Sequence, residues 1–154
     1  MNRKRSDSAD GFTLVELLVV IVIIAILAAL LLPAISRALC AGRHGAMKHL
    51  IDNLQQASKN YEMDQNQYPP GDGTGSADLA DALSSATSKK VPYFEFRADL
   101  LATNGSVASL IRPGDILNYR NNQPKPAAGA HNKSYFDLWT PDCRNVADGC
   151  NNWE

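Results

Sequence analysis

The sequence has almost no net charge, few cysteines and only one long apolar run, and each shortage excludes something. Fifteen Lys and Arg stand against sixteen Asp and Glu, a formal net charge of -1, so no basic surface points to nucleic acid. No Ser/His/Asp or Cys/His arrangement that one fold would unite is present, nor a phosphate-binding glycine motif or zinc-ligand spacing, and the chain does not read as an enzyme. His44 and His49 are five residues apart, poor spacing for one helical face, and His131 is distant in sequence, so the histidines read as ordinary polar residues. One apolar run rather than several excludes a polytopic membrane protein. The same run, in a chain that is 45% hydrophobic, excludes a fully soluble enzyme and a disordered chain.

That run, Phe12–Leu32, is 21 residues long and holds only Thr13 and Glu16 outside the hydrophobic set; no Gly or Pro interrupts it before Pro33. At roughly 1.5 Å per helical residue it reaches ~30 Å, the thickness of a hydrocarbon core. It is too long for the apolar region of a secretory signal, and Ala34-Ile35-Ser36 is a poor small-x-small cleavage site. Leu39 before Cys40 argues against a lipoprotein. Arg3, Lys4 and Arg5 precede the run, while the body after Pro33 leans acidic, so the basic flank belongs in the cytoplasm and the body outside it.

Glu16 lies five residues into the run, where a carboxylate in lipid costs about 2.5–3.5 kcal/mol on insertion scales. Either it snorkels to the headgroups or it awaits a cation. A cut between Gly11 and Phe12 would place a new α-amino group four residues away, and an amine and a carboxylate that meet in lipid compensate each other.

Gly11-Phe12-Thr13-Leu14-Val15-Glu16, after a short basic leader and before an unbroken apolar run, resembles the class III signal of type IV pilins and type II secretion pseudopilins. The resemblance implies cleavage between Gly11 and Phe12 by a prepilin peptidase and N-methylation of Phe12. It makes Glu16 the acid that sets register in assembly and Pro33 the helix-kinking proline. It also implies four segments: a cytoplasmic leader (1–11), a transmembrane and filament-core helix (12–32), an amphipathic continuation (33–64) and a periplasmic head (65–154).

The expected fold is α+β and pilin-like, a long N-terminal helix packed on a small antiparallel sheet. Met47, Leu50, Ile51, Leu54 and Tyr61 recur at helical spacing with Ala57 and Ser58 between them, while Lys48, Asp52, Asn53, Gln55 and Lys59 take the other faces. Gly42 and Gly45 predict a flexible or close-packed joint over 41–46. The helix should stop by about Asp64, ahead of Tyr68-Pro69-Pro70-Gly71, giving a rod of roughly 80 Å. In the head, a short helix capped by Ser76 is expected through Ser88. Tyr93–Phe96 reads as a strand or extended segment, Arg97–Thr103 as one or two helical turns, Ile116–Arg120 and Tyr135–Trp139 as strands, and Asn121–Asn132 as a loop.

The last residues pack oxygen donors into a short loop. An aromatic-apolar strand, a Thr-containing loop with spaced Asp and a terminal Asn-Trp look like the end of the major, G-type pseudopilin, whose loop binds calcium. On that resemblance the calcium donors are Thr140, Asp142, Asp148, Asn151 and the carbonyls of Leu138 and Val146, with Gly149 where a second adjacent Asp is usual. Cys143 and Cys150 flank the same loop and face an oxidising compartment, so a disulfide between them is predicted; it would close eight residues and contribute about 2.5 kcal/mol. Cys40 is left single, a small packing residue.

The whole implies a structural subunit of a type II secretion pseudopilus in the bacterial inner membrane, single-pass, with the N-terminus cytoplasmic and the head periplasmic. Its partners would be the prepilin peptidase, further copies of itself, minor pseudopilins, an inner-membrane assembly platform and membrane lipid, with no nucleic acid. The alternatives are a type IV pilin, a minor pseudopilin or, in a different class, a membrane-anchored extracytoplasmic binding module.

Overall fold

The computed structural model describes residues 12–85, 91–143 and 149–153. Two compact units divide between Leu39 and Cys40. Helix α1, Leu14–Gln65, supplies all of the described N-terminal unit except Phe12 and Thr13 and continues into the second. Every described residue of the first unit, from Phe12 to Leu39, is exposed. Among the described residues nothing covers this apolar surface, an extent of exposed hydrocarbon that marks a membrane or protein contact. Among the described residues it is the one helix long and apolar enough to cross a membrane.

Pro33 sits inside α1. Its missing N–H removes one hydrogen bond of the ladder, and its carbonyl accepts the Ser36 hydroxyl at 3.0 Å. Residues 41–46 are regular helix rather than a joint. A Cβ on Gly42 or Gly45 would meet nothing within 4 Å, so these glycines face open space and require neither close approach nor an unusual backbone.

The second unit is built around the amphipathic part of α1. Met47, Leu50, Ile51, Leu54 and Ala57 are buried there, with Tyr61 partly buried beside them, following the 3–4 spacing read in the sequence. Against them lie Leu79 and Leu83 of α2 (Ala77–Ser84), Val107, Ile111 and Leu117 from connecting segments, and Tyr119, Phe136 and Leu138 from the sheet. Helix α2 ends at Ser84, and the end predicted for it near Ser88 lies outside the described residues. Ser76 precedes it without capping it, because the Ser76 hydroxyl accepts the Val107 N–H instead, at 2.9 Å.

Arg97–Thr103 holds one 3-10 turn, Ala98–Leu100, and Tyr93–Phe96, read as a strand or extended segment, bends at Tyr93 and Phe94 and does not join the sheet. The sheet is antiparallel in the order β1 (Asn118–Asn121), β2 (Phe136–Thr140), β3 (Cys150–Asn151). Register places Tyr119 opposite Leu138, and Thr140 opposite Cys150. Strand β1 starts two residues later than its predicted segment and β2 one residue later. Strand β3, within the predicted loop, returns the chain end to the sheet.

Candidate functional site

At the start of α1, Thr13 and Glu16 form a reciprocal cap. The Thr13 N–H and hydroxyl donate to Glu16 Oε2 at 2.9 and 2.7 Å, and the Glu16 N–H donates to Thr13 Oγ1 at 3.2 Å. Thr13-x-x-Glu16 is thus a capping box, which satisfies orphan N–H groups of the first turn while giving the carboxylate two donors. The first turn also carries the positive end of the helix dipole. The acid expected to wait for a cation is therefore already stabilised by its own helix. Phe12 beside it is 75% exposed, and Gly11 lies outside the described residues.

A second set of contacts joins α1 to the end of the chain. Cys40, His44 and Lys48 follow at steps of four, one face of a helix. Cys40 is disulfide-bonded to Cys143, with Cα atoms 5.9 Å apart. The His44 Nε2–H donates to the Gly149 carbonyl at 3.0 Å, and the Lys48 ammonium donates to the Asn151 carbonyl at 2.6 Å. The predicted Cys143–Cys150 bond is therefore replaced by Cys40–Cys143. Cys150 is a free thiol, buried in β3 opposite Thr140, while Cys143 lies beyond the end of β2 and meets the helix. Burial first, with Asp52 and Asp142 adding, pushes the Cys150 thiol up, and Lys48 opposes them.

The segment around Trp153 is equally fixed. Its ring stacks on His131 at 4.0 Å and within 2° of parallel, and it lies 6.2 Å from Trp139, whose other neighbour is the Arg120 guanidinium at 5.3 Å. Asp137, almost fully buried, accepts the N–H groups of His131 and Asn132 at 3.0 and 2.8 Å, which holds the long loop beneath this stack.

Residues 8–32 match the family described as the prokaryotic N-terminal methylation motif. Over this N-terminal stretch the chain resembles type IV pilin-like proteins with a class III signal. The type IV wide pilus major component PilA4 of Thermus thermophilus is 39% identical over 61 residues, covering 40% of this chain and 47% of that protein. The pilin-like chain thus spans about half the length of the relative it matches. No solved structure matches it at a significant level.

In this pilin-like chain, the donors predicted for calcium are engaged within the fold wherever they are described. The Leu138 carbonyl accepts the Asn152 N–H at 3.1 Å, the Thr140 hydroxyl donates to the Ile116 carbonyl at 3.1 Å, and Asn151 Oδ1 accepts the Trp153 N–H at 3.0 Å. Asp142 is buried with its side chain against Gly149, where an added Cβ would come within 2.6 Å of the Asp142 Cβ. Position 149 therefore has no room for the second carboxylate usual in a calcium loop. Val146 and Asp148 lie outside the described residues. Calcium prefers six to eight converging oxygens, and among the described residues no group of three or more His, Cys, Asp or Glu side chains is gathered in one place. His44, Lys48 and the Cys40 pairing escaped sequence reasoning, although the four-residue spacing on one helix face was a signal for all three.

Proposed function

We propose that this chain is a structural subunit, not an enzyme, that assembles through its N-terminal helix into a helical filament. The observation that carries the reading is the methylation motif over residues 8–32, whose described part leads into helix α1 and is exposed at every residue from Phe12 to Leu32. In this reading a prepilin peptidase cuts between Gly11 and Phe12, Phe12 is N-methylated, and the mature chain waits in the inner membrane with its head on the periplasmic side. Further copies of the chain, minor subunits and an inner-membrane assembly platform are the partners, and lipid is the medium the rod leaves.

Leaving lipid for other rods gives little net hydrophobic gain, so packing and polar pairing decide register. Glu16 is the group that discriminates. Already held by Thr13, it retains unused acceptor capacity that a neighbour's Phe12 ammonium can satisfy. Two filament classes share this design. The aromatic β2 strand and the terminal Asn-Trp support a type II secretion pseudopilus, whereas the name of the aligned Thermus protein supports a type IV pilus as second reading. Electron microscopy of cells at native expression separates them, since surface fibres labelled by an antibody to the head favour the pilus.

The N-terminal mass of protein purified from membranes tests the shared reading. A chain beginning at methylated Phe12 is expected; an intact Met1 in the working form sinks it. Glu16→Ala is expected to insert and be cut normally while filament yield falls about tenfold or more, and an unchanged yield removes the role given to Glu16.

A further inference from the structure

Strand register puts Tyr119 and Leu138 on the core side of the sheet, so Arg120 and Trp139 share its outer side. The Arg120 guanidinium lies over the Trp139 ring at 5.3 Å, and its Nε and Nη2 would meet a Cβ on Gly73 at 2.8 and 2.9 Å. Glycine at this position, with φ +96°, makes that close approach possible. The guanidinium is thus held in place, yet among the described residues it has no hydrogen bond or ion pair, and its Nε is buried without an acceptor. Asp72, its partner across an isolated bridge, spends Oδ1 on the Thr74 N–H and hydroxyl at 2.8 and 2.6 Å. Trp153, 6.2 Å from Trp139 and stacked on His131, continues the array of rings. Two half-buried indoles beside a fixed guanidinium match the centre of a protein–protein contact better than open surface.

A planar fork of donors with no acceptor suits a carboxylate. The same chain presents two. Asp78 and Asp81 lie one turn apart on the exposed face of α2, a helix with no Lys or Arg, and neither side chain has a partner among the described residues. Elsewhere Asp64 accepts the Tyr93 hydroxyl, Asp99 pairs with Arg97, and Asp115 with Arg112. We propose that the outer sheet face around Arg120 and Trp139 docks on helix α2 of a second copy, with Arg120 meeting Asp78 and Asp81. The proposal rests on the filament reading and adds a contact between heads to it. Because the two surfaces differ, each copy offers its sheet to one neighbour and its α2 to the next, and such a heterologous contact propagates as a helix unless its rotation closes a ring. The rods associate with little selectivity of their own, whereas a desolvated charge pair penalises wrong registers. The net charge of -1 thus conceals two surfaces of opposite sign.

Charge reversal in the full-length chain tests this, with the yield of sheared filaments as readout. Arg120→Glu, and separately Asp78→Lys with Asp81→Lys, are expected to lower the yield about tenfold or more, while cleavage before Phe12 and the melting temperature in detergent stay as in the wild type. Combining all three substitutions is expected to bring the yield back to within about threefold of the wild type. Loss on each face without recovery in the combination overturns the pairing. A wild type that is cut yet forms no filament sinks the filament reading and this contact with it, whereas wild-type filaments indifferent to both reversals sink the contact alone. Should Arg120→Glu fail to fold, Arg120→Lys keeps the charge and supplies an amine. Carbodiimide treatment of its filaments is expected to join that amine to Asp78 or Asp81 of a neighbouring copy; coupling to other carboxylates alone overturns the proposal.

Discussion

Glu16 and Asp137 are carboxylates in places that penalise charge, one on an apolar rod and one in the core, and each is answered by N–H groups close in sequence. Asp137 takes two backbone donors at 3.0 and 2.8 Å and so fastens residues 131 and 132 to β2. Asp137→Ala leaves those donors unsatisfied and is expected to cost about 1–3 kcal/mol, with Asp137→Asn costing less because one acceptor oxygen remains. Urea midpoints measure both, and equal, negligible shifts would contradict the role. Cys150 offers a second check at this scale. Because its thiol is buried and its pKa is raised, thiolate is scarce near neutral pH and becomes available only at higher pH or on unfolding. Alkylation without reductant is expected to label one cysteine per chain, slowly when folded and quickly in denaturant; two or three labelled cysteines would show that the Cys40–Cys143 bond is absent.

The elements differ in how plainly they were written. Helix α1 and the cores of β1 and β2 follow from period, because 3–4 spacing and aromatic-rich runs each report which face is buried. Strand β3 has two residues and no period to read, and its pairing depends on where the chain end returns. The disulfide was misassigned for the same kind of reason. Nearness along the chain favoured Cys143 and Cys150, but strand pairing turns Cys150 inward and leaves Cys143 facing α1. The consequence is quantitative. A link across 103 residues restricts the unfolded chain far more than one across eight, about 4.7 against 2.5 kcal/mol by the chain-entropy relation. Cys40→Ser with Cys143→Ser is therefore expected to lower stability by about 3–5 kcal/mol in a denaturant titration under oxidising conditions. A loss below ~1 kcal/mol would show that the bond contributes little. Lys48 was placed on the solvent side of an amphipathic helix; a half-buried lysine whose ammonium reaches a carbonyl looks the same in sequence as one in water.

At the scale of the whole molecule, an exposed apolar rod and a head with its own core imply a division of surroundings, one for lipid or other rods and one for water. Protease added outside spheroplasts is expected to digest the head and leave an N-terminal fragment protected to about Leu39; full protection of the head would place it in the cytoplasm instead. The Cys40–Cys143 bond has a mechanical meaning as well. Cys40 is the first residue of the second unit, so tension drawn along the rod meets a covalent branch as soon as it enters that unit. The link makes the intervening chain a closed loop. A pull at the N-terminus can fray strands or loosen a helix within it, yet cannot lengthen the molecule by unravelling those residues until the sulfur bridge is reduced.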